Sequence, residues 1–456
     1  MTAPAAAGRR KRAAGAPEEA QVEGLTHEGE GVVHGGKTAF VAGALPGERI
    51  RFHRTRRLRQ HDDAELIEVL QASPARAAPR CPHFGVCGGC VLQHLSPAAQ
   101  LAAKEGELRE ALARVARVEP VRWLSALDGP HWGYRRRARL GAKFVRKKDT
   151  VVVGFRERAA PFITQLRSCD VLAPPAGELI APLAAMLTGL SIREQVPQIE
   201  VAVAANGTAL VLRVLEAPSQ QDVARLEAFA AEHGVRLFLQ PGGLDSVREL
   251  GLAGEPLHYR LPRFDLEMRF APTDFIQVNG PVNEVLVERA IELLDLTPAA
   301  RVLDLYCGLG NFSLPLARHT TQVVGIEGDA ALVARARDNA RHNGLVNAEF
   351  HAADLAAPPD AALPWLRHRY THVLLDPPRT GARAVLAAVA RIAPQRLLYI
   401  SCHPGSLARD LGVLVHEHGF ALAAAGVVDM FPHTAHVESL ALLTAGASPG
   451  AAAVPA

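Results

Sequence analysis

Long apolar runs are missing from this chain. No stretch approaches the roughly 20 consecutive apolar residues that a membrane-spanning helix needs, so no membrane association is expected. The first segment, MTAPAAAGRRKRAAG, is basic but has no apolar h-region, which excludes a secretory signal. Charge of one sign is also scarce. The formal net charge is only +3, so any argument for a nucleic-acid partner must rest on local charge. No internal repeat stands out, and cysteine occurs only six times in 456 residues. What is present is an apolar content of 48%, ample for a core. The length suggests about two to four domains. The expectation is a soluble, cytoplasmic protein that acts as a monomer.

The chain divides into five expected segments. Residues 1–18 read as a disordered basic arm and 446–456 as a disordered tail. Residues 19–75 carry short alternating runs punctuated by Gly pairs and Pro-Gly, the pattern of a small OB-like β-barrel. Its end is basic, with Arg51, Arg54, Arg56, Arg57 and Arg59 close together. These could form a solvated edge strand or a nucleic-acid-binding face; the second fits such a barrel better. Residues 76–270 form a central α+β domain. Within it, 97–117 reads as a helix with Leu101, Leu108, Leu112 and Val115 on one face. Residues 93–124 are a candidate to pack against the catalytic domain despite their position. Between Tyr134 and Arg158 stand ten Lys/Arg against two acids. That skew suggests a sheet with a positive face toward phosphate. Residues 176–270 carry no nameable motif.

Residues 271–445 alternate strands and helices, which predicts a parallel sheet covered on both faces. DLYCGLGNF, 304–312, follows a strand and opens a helix. Its glycines let backbone approach a ligand closely, but they lack the spacing of a dinucleotide fingerprint. S-adenosylmethionine has no phosphate and needs only such a close turn. Glu327, ending the next strand, stands where it can accept ribose hydroxyls. Asp354 ends the third strand and could face adenine. Asp376 opens D-P-P-R after an apolar strand. Arg379 stands where amino-directed methyltransferases usually have a stacking aromatic, which leaves carbon as the candidate target.

Methylation at carbon 5 of uracil has a definite chemical requirement. That carbon becomes nucleophilic only after a thiolate adds to carbon 6, and a base must later remove the carbon 5 proton. Cys402, at the end of an apolar strand in YISCHPGSLARD, and Glu438, in FPHTAHVESL, are the candidate nucleophile and base. A lone cysteine is as often a buried filler; a donor loop and a candidate base in the same domain favour the catalytic reading.

Three more cysteines, Cys81, Cys87 and Cys90, are spaced C-x5-C-x2-C, and Cys169 lies downstream in RSCDVL. Zinc sites usually use two C-x2-C pairs, whereas an iron–sulfur cluster needs four thiolates and tolerates a remote one. Zinc or free thiols remain the alternatives.

DLYCGLGNF, DPPRTG, YISCHPGSLARD and FPHTAHVES together resemble the RNA uracil-C5-methyltransferase family, and FIQVN, 275–279, is similar to the segment just before its catalytic domain. The resemblance covers nearly the whole chain. It implies a Rossmann-like, S-adenosylmethionine-dependent methyltransferase domain, with Cys402 as nucleophile and Glu438 as base. It implies Gln277, Tyr306, Asn311, Glu327, Asp354 and Asp376 around S-adenosylmethionine. It also implies a [4Fe-4S] cluster on Cys81, Cys87, Cys90 and Cys169. The barrel resembles the TRAM module, an RNA-binding domain. Together with the cysteine cluster it implies 23S ribosomal RNA as substrate. The same chemistry on tRNA, and an RNA-binding protein without catalysis, are the alternatives. Tyr306 stands where the family often has Phe, and His403 where it often has Asn; a histidine there could favour the thiolate.

Overall fold

The computed structural model describes residues 16–158, 160–360 and 363–446. The expected arm and tail lie outside the described residues, apart from their inner ends. The chain forms two compact units: residues 1–85, 90–103 and 433–435 make the first, and the remainder makes the second.

The first unit is built on a sheet of six strands. They are β1 Glu18–Gln21, β2 Gly24–Leu25, β3 Glu30–Val33, β4 Ala39–Ala42, β5 Arg49–Arg57 and β6 Asp62–Gln71. The order is β1-β5-β6-β4-β3-β2. Since β1 and β2 are consecutive in the chain, that order closes on itself. Val22 N–H donates to Glu48 O on one side and Glu23 N–H to Val32 O on the other, both at 2.8 Å. Val22, Val33, Val41, Ile50 and Phe52 fill the interior. The basic run is less open than its sequence suggests. Arg51 pairs with Glu19 and Glu68, Arg54 with Glu18 and Asp62, and Arg56 with Asp63. Cross-strand acids thus neutralise three of the five expected RNA-facing arginines. Helix α1, Pro97–Ala111, begins in this unit.

A π-type turn, Leu112–Ala116, follows α1 and ends at Arg117 with φ 54°. The wider turn shifts the phase of the apolar stripe. Leu108 and Leu112 are buried, but Val115 is 55% exposed, against the expectation from a 3.6-residue period.

The second unit holds two larger sheets and a hairpin. Its first strands are β7 Arg122–Trp123, β8 Arg137–Val145, β9 Thr150–Gly154, β10 Gln198–Ala204, β11 Gly207–Arg213, β12 Val235–Gln240 and β13 Arg248–Glu249. The central sheet runs β13-β12-β11-β10-β8-β9. Helix α2, Ile180–Thr188, contributes Ile180, Leu183 and Leu187 to its core, and helix α3, Gln220–His233, contributes Leu226 and Phe229. The basic β8 is not uniformly wet. Arg137 is half-buried against Glu200 at 3.1 Å, and Arg136 is half-buried just before the strand begins.

The hairpin β14 Leu257–Leu261 and β15 Leu266–Phe270 packs into the C-terminal core. Asn339 and Asn343, at the end of the helix that begins at Ala330, accept backbone N–H groups of Arg269 and Glu267, respectively, at 2.9 Å. A division at residue 271 therefore falls inside one continuous core.

Helix α4, Gly280–Leu294, leads to the C-terminal sheet. Its strands are β16 Arg301–Leu305, β17 Gln322–Glu327, β18 Ala348–Ala352, β19 His372–Leu375, β20 Arg396–Ser401, β21 Phe420–Val428 and β22 Glu438–Ala445. Helices α5 Ser313–Ala317, α6 Ala330–His342, α7 Leu386–Ile392 and α8 Pro404–His416 connect them. The order is β18-β17-β16-β19-β20-β22-β21-β7. Strands β16 to β20 are mutually parallel, and β22 inserts antiparallel between β20 and β21. The edge strand β7 comes from the segment before the central domain. Residues 121–127 lie along β21 through backbone bonds to Leu422, Ala425 and Val427. No helix is long and apolar enough to cross a membrane among the described residues.

Candidate active site

The carboxyl ends of five parallel strands each deliver one candidate residue. Tyr306 follows β16, Glu327 ends β17, Asp354 lies just past β18, Asp376 follows β19 and Cys402 follows β20. Glu438 opens the antiparallel β22 and so starts at the same edge. Strand order reverses between β16 and β19, where open α/β sheets bind ligands.

On the β16 side the turn is set by glycine. Gly308 has φ 56° and Gly310 φ 96°. A Cβ at Gly310 would stand 2.2 Å from Leu314 Cδ1, so a side chain cannot be accommodated there. Tyr306 also adopts φ 65°, held by its N–H bond to Ile326 O at 2.8 Å. Glu327 accepts the Gly308 N–H at 3.1 Å and the Asp329 N–H at 3.0 Å, tying loop to strand end. The Tyr306 hydroxyl donates to Leu355 O at 3.1 Å, beside Asp354. Cys307 is buried, with Gly325 leaving room for its sulfur.

Asn311 is a hub. Its Oδ1 accepts from the Tyr259 hydroxyl at 2.8 Å and from Asn283 Nδ2 at 2.9 Å, and its Nδ2 donates to Asn283 Oδ1 at 2.9 Å. One amide N–H remains for a ligand. Gln277 is buried in the loop before α4, and its carbonyl accepts Arg136 Nε at 2.7 Å. The Arg136 guanidinium lies 4.4 Å from the centre of the Tyr259 ring, a cation–π contact.

Sequence reasoning missed Asp304, Tyr259 and Asn283. Asp304 is fully buried and accepts a bond from the Ser313 hydroxyl. Burial, with the charges of Asp376 and Glu327, pushes its carboxyl up to about 7.

On the β20 side, Ser401 pairs with Ser439 across the sheet, and the Ser439 hydroxyl donates to Ser401 O at 3.3 Å. That register brings Glu438 next to the nucleophile's strand end. Burial raises the Cys402 thiol to about 11; the charges of Glu438 and Asp376 add to the rise and Arg379 opposes it. Burial and then the Asp376 charge also hold the Glu438 carboxyl well above its ordinary range. Burial puts Asp376 at about 7. These groups sense one another's charge, so they occupy one site.

Two elements keep that edge in place. Asp410 accepts the Tyr399 hydroxyl and the Ala382 N–H, both at 2.7 Å. It thereby pins the loop after Asp376 to strand β20 and helix α8. His403 caps α8: its Nδ1 accepts the Ser406 N–H at 3.0 Å. His403 thus serves as the N-cap of α8. Phe275, which opens the FIQVN segment two residues before Gln277, is 68% exposed; it was not named as a site residue from the sequence.

The cysteine set is different. Cys81 and Cys90 belong to the first unit, Cys87 and Cys169 to the second. All four are free of disulfides. Among the described residues no group of three or more His, Cys, Asp or Glu side chains is arranged to hold a metal.

Strand order and the residues at its edge define a Rossmann-like, S-adenosylmethionine-dependent methyltransferase. The family described as tRNA (uracil-5-)-methyltransferase matches residues 260–446. A protein of Xanthomonas euvesicatoria pv. vesicatoria, named 23S rRNA (uracil(1939)-C(5))-methyltransferase RlmD, is 50% identical over 93% of this chain and 97% of its own. Its namesake in Nitrosococcus oceani is 50% identical over 95% of this chain and 97% of its own. The crystal structure of the Pyrococcus abyssi tRNA (uracil-54, C5)-methyltransferase with S-adenosyl-L-homocysteine matches the fold. Its TM-score is 0.73 at 23% identity, covering 94% of this chain and all (100%) of that one. The chain belongs to the RNA uracil-C5-methyltransferase family, in the branch of the RlmD enzymes.

Replacing the cap tests the reading of His403. His403→Asn keeps a side-chain acceptor and should melt as the wild type does. His403→Ala should lose about 1 kcal/mol in denaturant unfolding; equal stability for the Ala variant contradicts the cap.

Proposed function

We propose that this protein methylates carbon 5 of a uridine in 23S ribosomal RNA, at the site equivalent to the 1939 of its relatives' names. The observation that carries the reading is the convergence of Cys402, Glu438 and Asp376 at the sheet edge that also holds the donor-side loop. Bound S-adenosylmethionine would supply an electrophilic methyl group. Gln277, Tyr306, Asn311, Glu327, Asp354 and Asp376 are the residues proposed to hold it, with Glu327 toward the ribose and Asp354 toward the adenine.

The residues then act in sequence. Cys402 passes its thiol proton to the neighbouring Asp376 carboxylate as sulfur bonds to carbon 6, which leaves Glu438 ionised. Charge moves onto the ring, and carbon 5 takes the methyl group. Glu438 removes the carbon 5 proton, the double bond re-forms, and the sulfur–carbon bond breaks to release Cys402. A carboxyl whose burial raises its proton affinity suits the role of base near neutrality. The target base must leave its stack to reach Cys402, and the exposed Phe275 ring offers it a face. The barrel, with Arg57 and Arg59 exposed, is proposed to bind RNA, and the site of action is the cytoplasm.

A [4Fe-4S] cluster on Cys81, Cys87, Cys90 and Cys169 is part of the same proposal. It rests on donor chemistry: four thiols outside disulfides suit thiolate ligation. Cys87 Sγ also accepts the Gly89 N–H at 3.4 Å, the kind of bond that tunes a ligated sulfur. No step of methyl transfer passes through it. Protein purified without oxygen should be brown and carry about four irons per chain; stoichiometric zinc without iron would contradict the cluster.

Two variants test the chemistry. Cys402→Ala should abolish 5-methyluridine formation while S-adenosylmethionine still binds with nearly wild-type affinity. Glu438→Gln should accumulate a covalent protein–RNA species on a denaturing gel. An active Cys402→Ala protein, or an active Glu438→Gln protein with no adduct, would remove these assignments.

A further inference from the structure

Only two aromatic rings are strongly exposed among the described residues, Phe275 at 68% and Phe162 at 65%. Phe275 belongs to the catalytic loop. Phe162 lies in the central domain and has no part in the site described above. Nothing about its position is accidental to the local fold. The turn that carries it is closed by the Glu157 N–H to Phe162 O bond at 2.9 Å and the Thr164 N–H to Phe155 O bond at 2.8 Å. The returning limb presses onto the β8–β9 hairpin at two glycines. A Cβ at Gly141 would stand 2.4 Å from Ile163, and one at Gly154 would stand 2.2 Å from Thr164 O. The backbone at residues 157 and 162–164 is thus held while the Phe162 ring is left to solvent.

Around this ring lies an open cleft of about 520 Å³, lined by Lys143, Lys148, Arg156 and Pro161 as well as Phe162. The three cations are exposed, and none makes a salt bridge among the described residues. Lys148 donates only to the neutral Gln165 amide, at 2.7 Å. Glu157 is the one acid in the lining. This contrasts with Arg51, Arg54 and Arg56 of the barrel, which are paired with carboxylates, and with Arg137 and Arg139 on the same β8, which share Glu200. Cations left unpaired around an exposed aromatic face form the combination that binds unpaired nucleotides: the ring stacks a base and the charges meet its phosphates.

Strand β8 also ties this cleft to the reaction centre. At its start, Arg137 Nε donates to Asp274 O at 3.2 Å, in the loop that carries Gln277. Lys143, six residues on, lines the cleft, about 20 Å along the strand.

We propose that Phe162, with Lys143, Lys148 and Arg156, is a stacking site for an unpaired base of the substrate RNA, some nucleotides away from the target uridine. The inference rests on the RNA-methyltransferase reading and adds where the strand is gripped outside the active site. The ring holds a base without selecting its identity, since every base offers a π-face. The cations make the grip salt-dependent.

The test uses the full chain and a 23S ribosomal RNA fragment spanning the methylated uridine. Phe162→Ala should weaken binding and raise KM for the fragment about tenfold, leaving kcat at saturating RNA and the melting temperature unchanged. Phe162→Trp should restore the wild-type KM, and its added fluorescence should fall as RNA is titrated. A wild-type KM for Phe162→Ala, or no RNA-dependent change in F162W fluorescence while methylation proceeds, overturns the stacking site. Failure of the wild-type protein to form 5-methyluridine, with F162W fluorescence still quenched by the fragment, would overturn the enzymatic reading and leave the stacking site standing.

Discussion

The register of β22 is the constraint on which the site depends. This strand runs antiparallel between β20 and β21, with Ser439 opposite Ser401 and Glu438 opposite Val428. Side chains alternate along a strand, so a slip of one residue would turn Glu438 to the other face. The Ser439–Ser401 bond and the wholly apolar neighbours Leu440 and Leu442 oppose such a slip. The nucleophile needs no comparable device, because a parallel strand ending at a helix delivers Cys402 to the carboxyl edge by topology alone. The two proposed catalytic residues, far apart in sequence, are thus neighbours by strand pairing.

That placement has an electrostatic consequence. Asp304 and Glu438 are buried, each feels the charge of the half-buried Asp376 between them in sequence, and all three bind protons more tightly than exposed carboxyls do. Such a group cannot carry three full negative charges cheaply. The same environment holds the Cys402 thiol neutral. Asp410, tied to Tyr399 and to the Ala382 backbone, joins the Asp376 loop to the Cys402 strand.

Much of this was legible in the sequence because it is local. Strand ends followed by DLYCG, GIEGD, DPPR and SCHP mark where a parallel sheet presents side chains, and alternation of strands and helices gave the sheet type. What was not legible depends on distant packing. Tyr259 and Asn283 meet Asn311 through tertiary contacts that no spacing announces. The basic character of β5 and β8 was plain, but the acids that neutralise much of it lie on other strands, so charge counting overstated the phosphate-binding surface. For His403, composition shows an imidazole beside a thiol, and only the helix start shows that its Nδ1 caps α8. Residues 93–124 were a candidate to pack against the catalytic domain, and within them β7, with the bonds of residues 121–127, completes the edge of the C-terminal sheet.

The most direct measurement is methyl transfer from labelled S-adenosylmethionine to unmodified 23S, 16S and tRNA transcripts offered separately, followed by nucleoside analysis. The account predicts label recovered as 5-methyluridine from 23S RNA alone. Label in tRNA, or in any nucleoside other than 5-methyluridine, would contradict it.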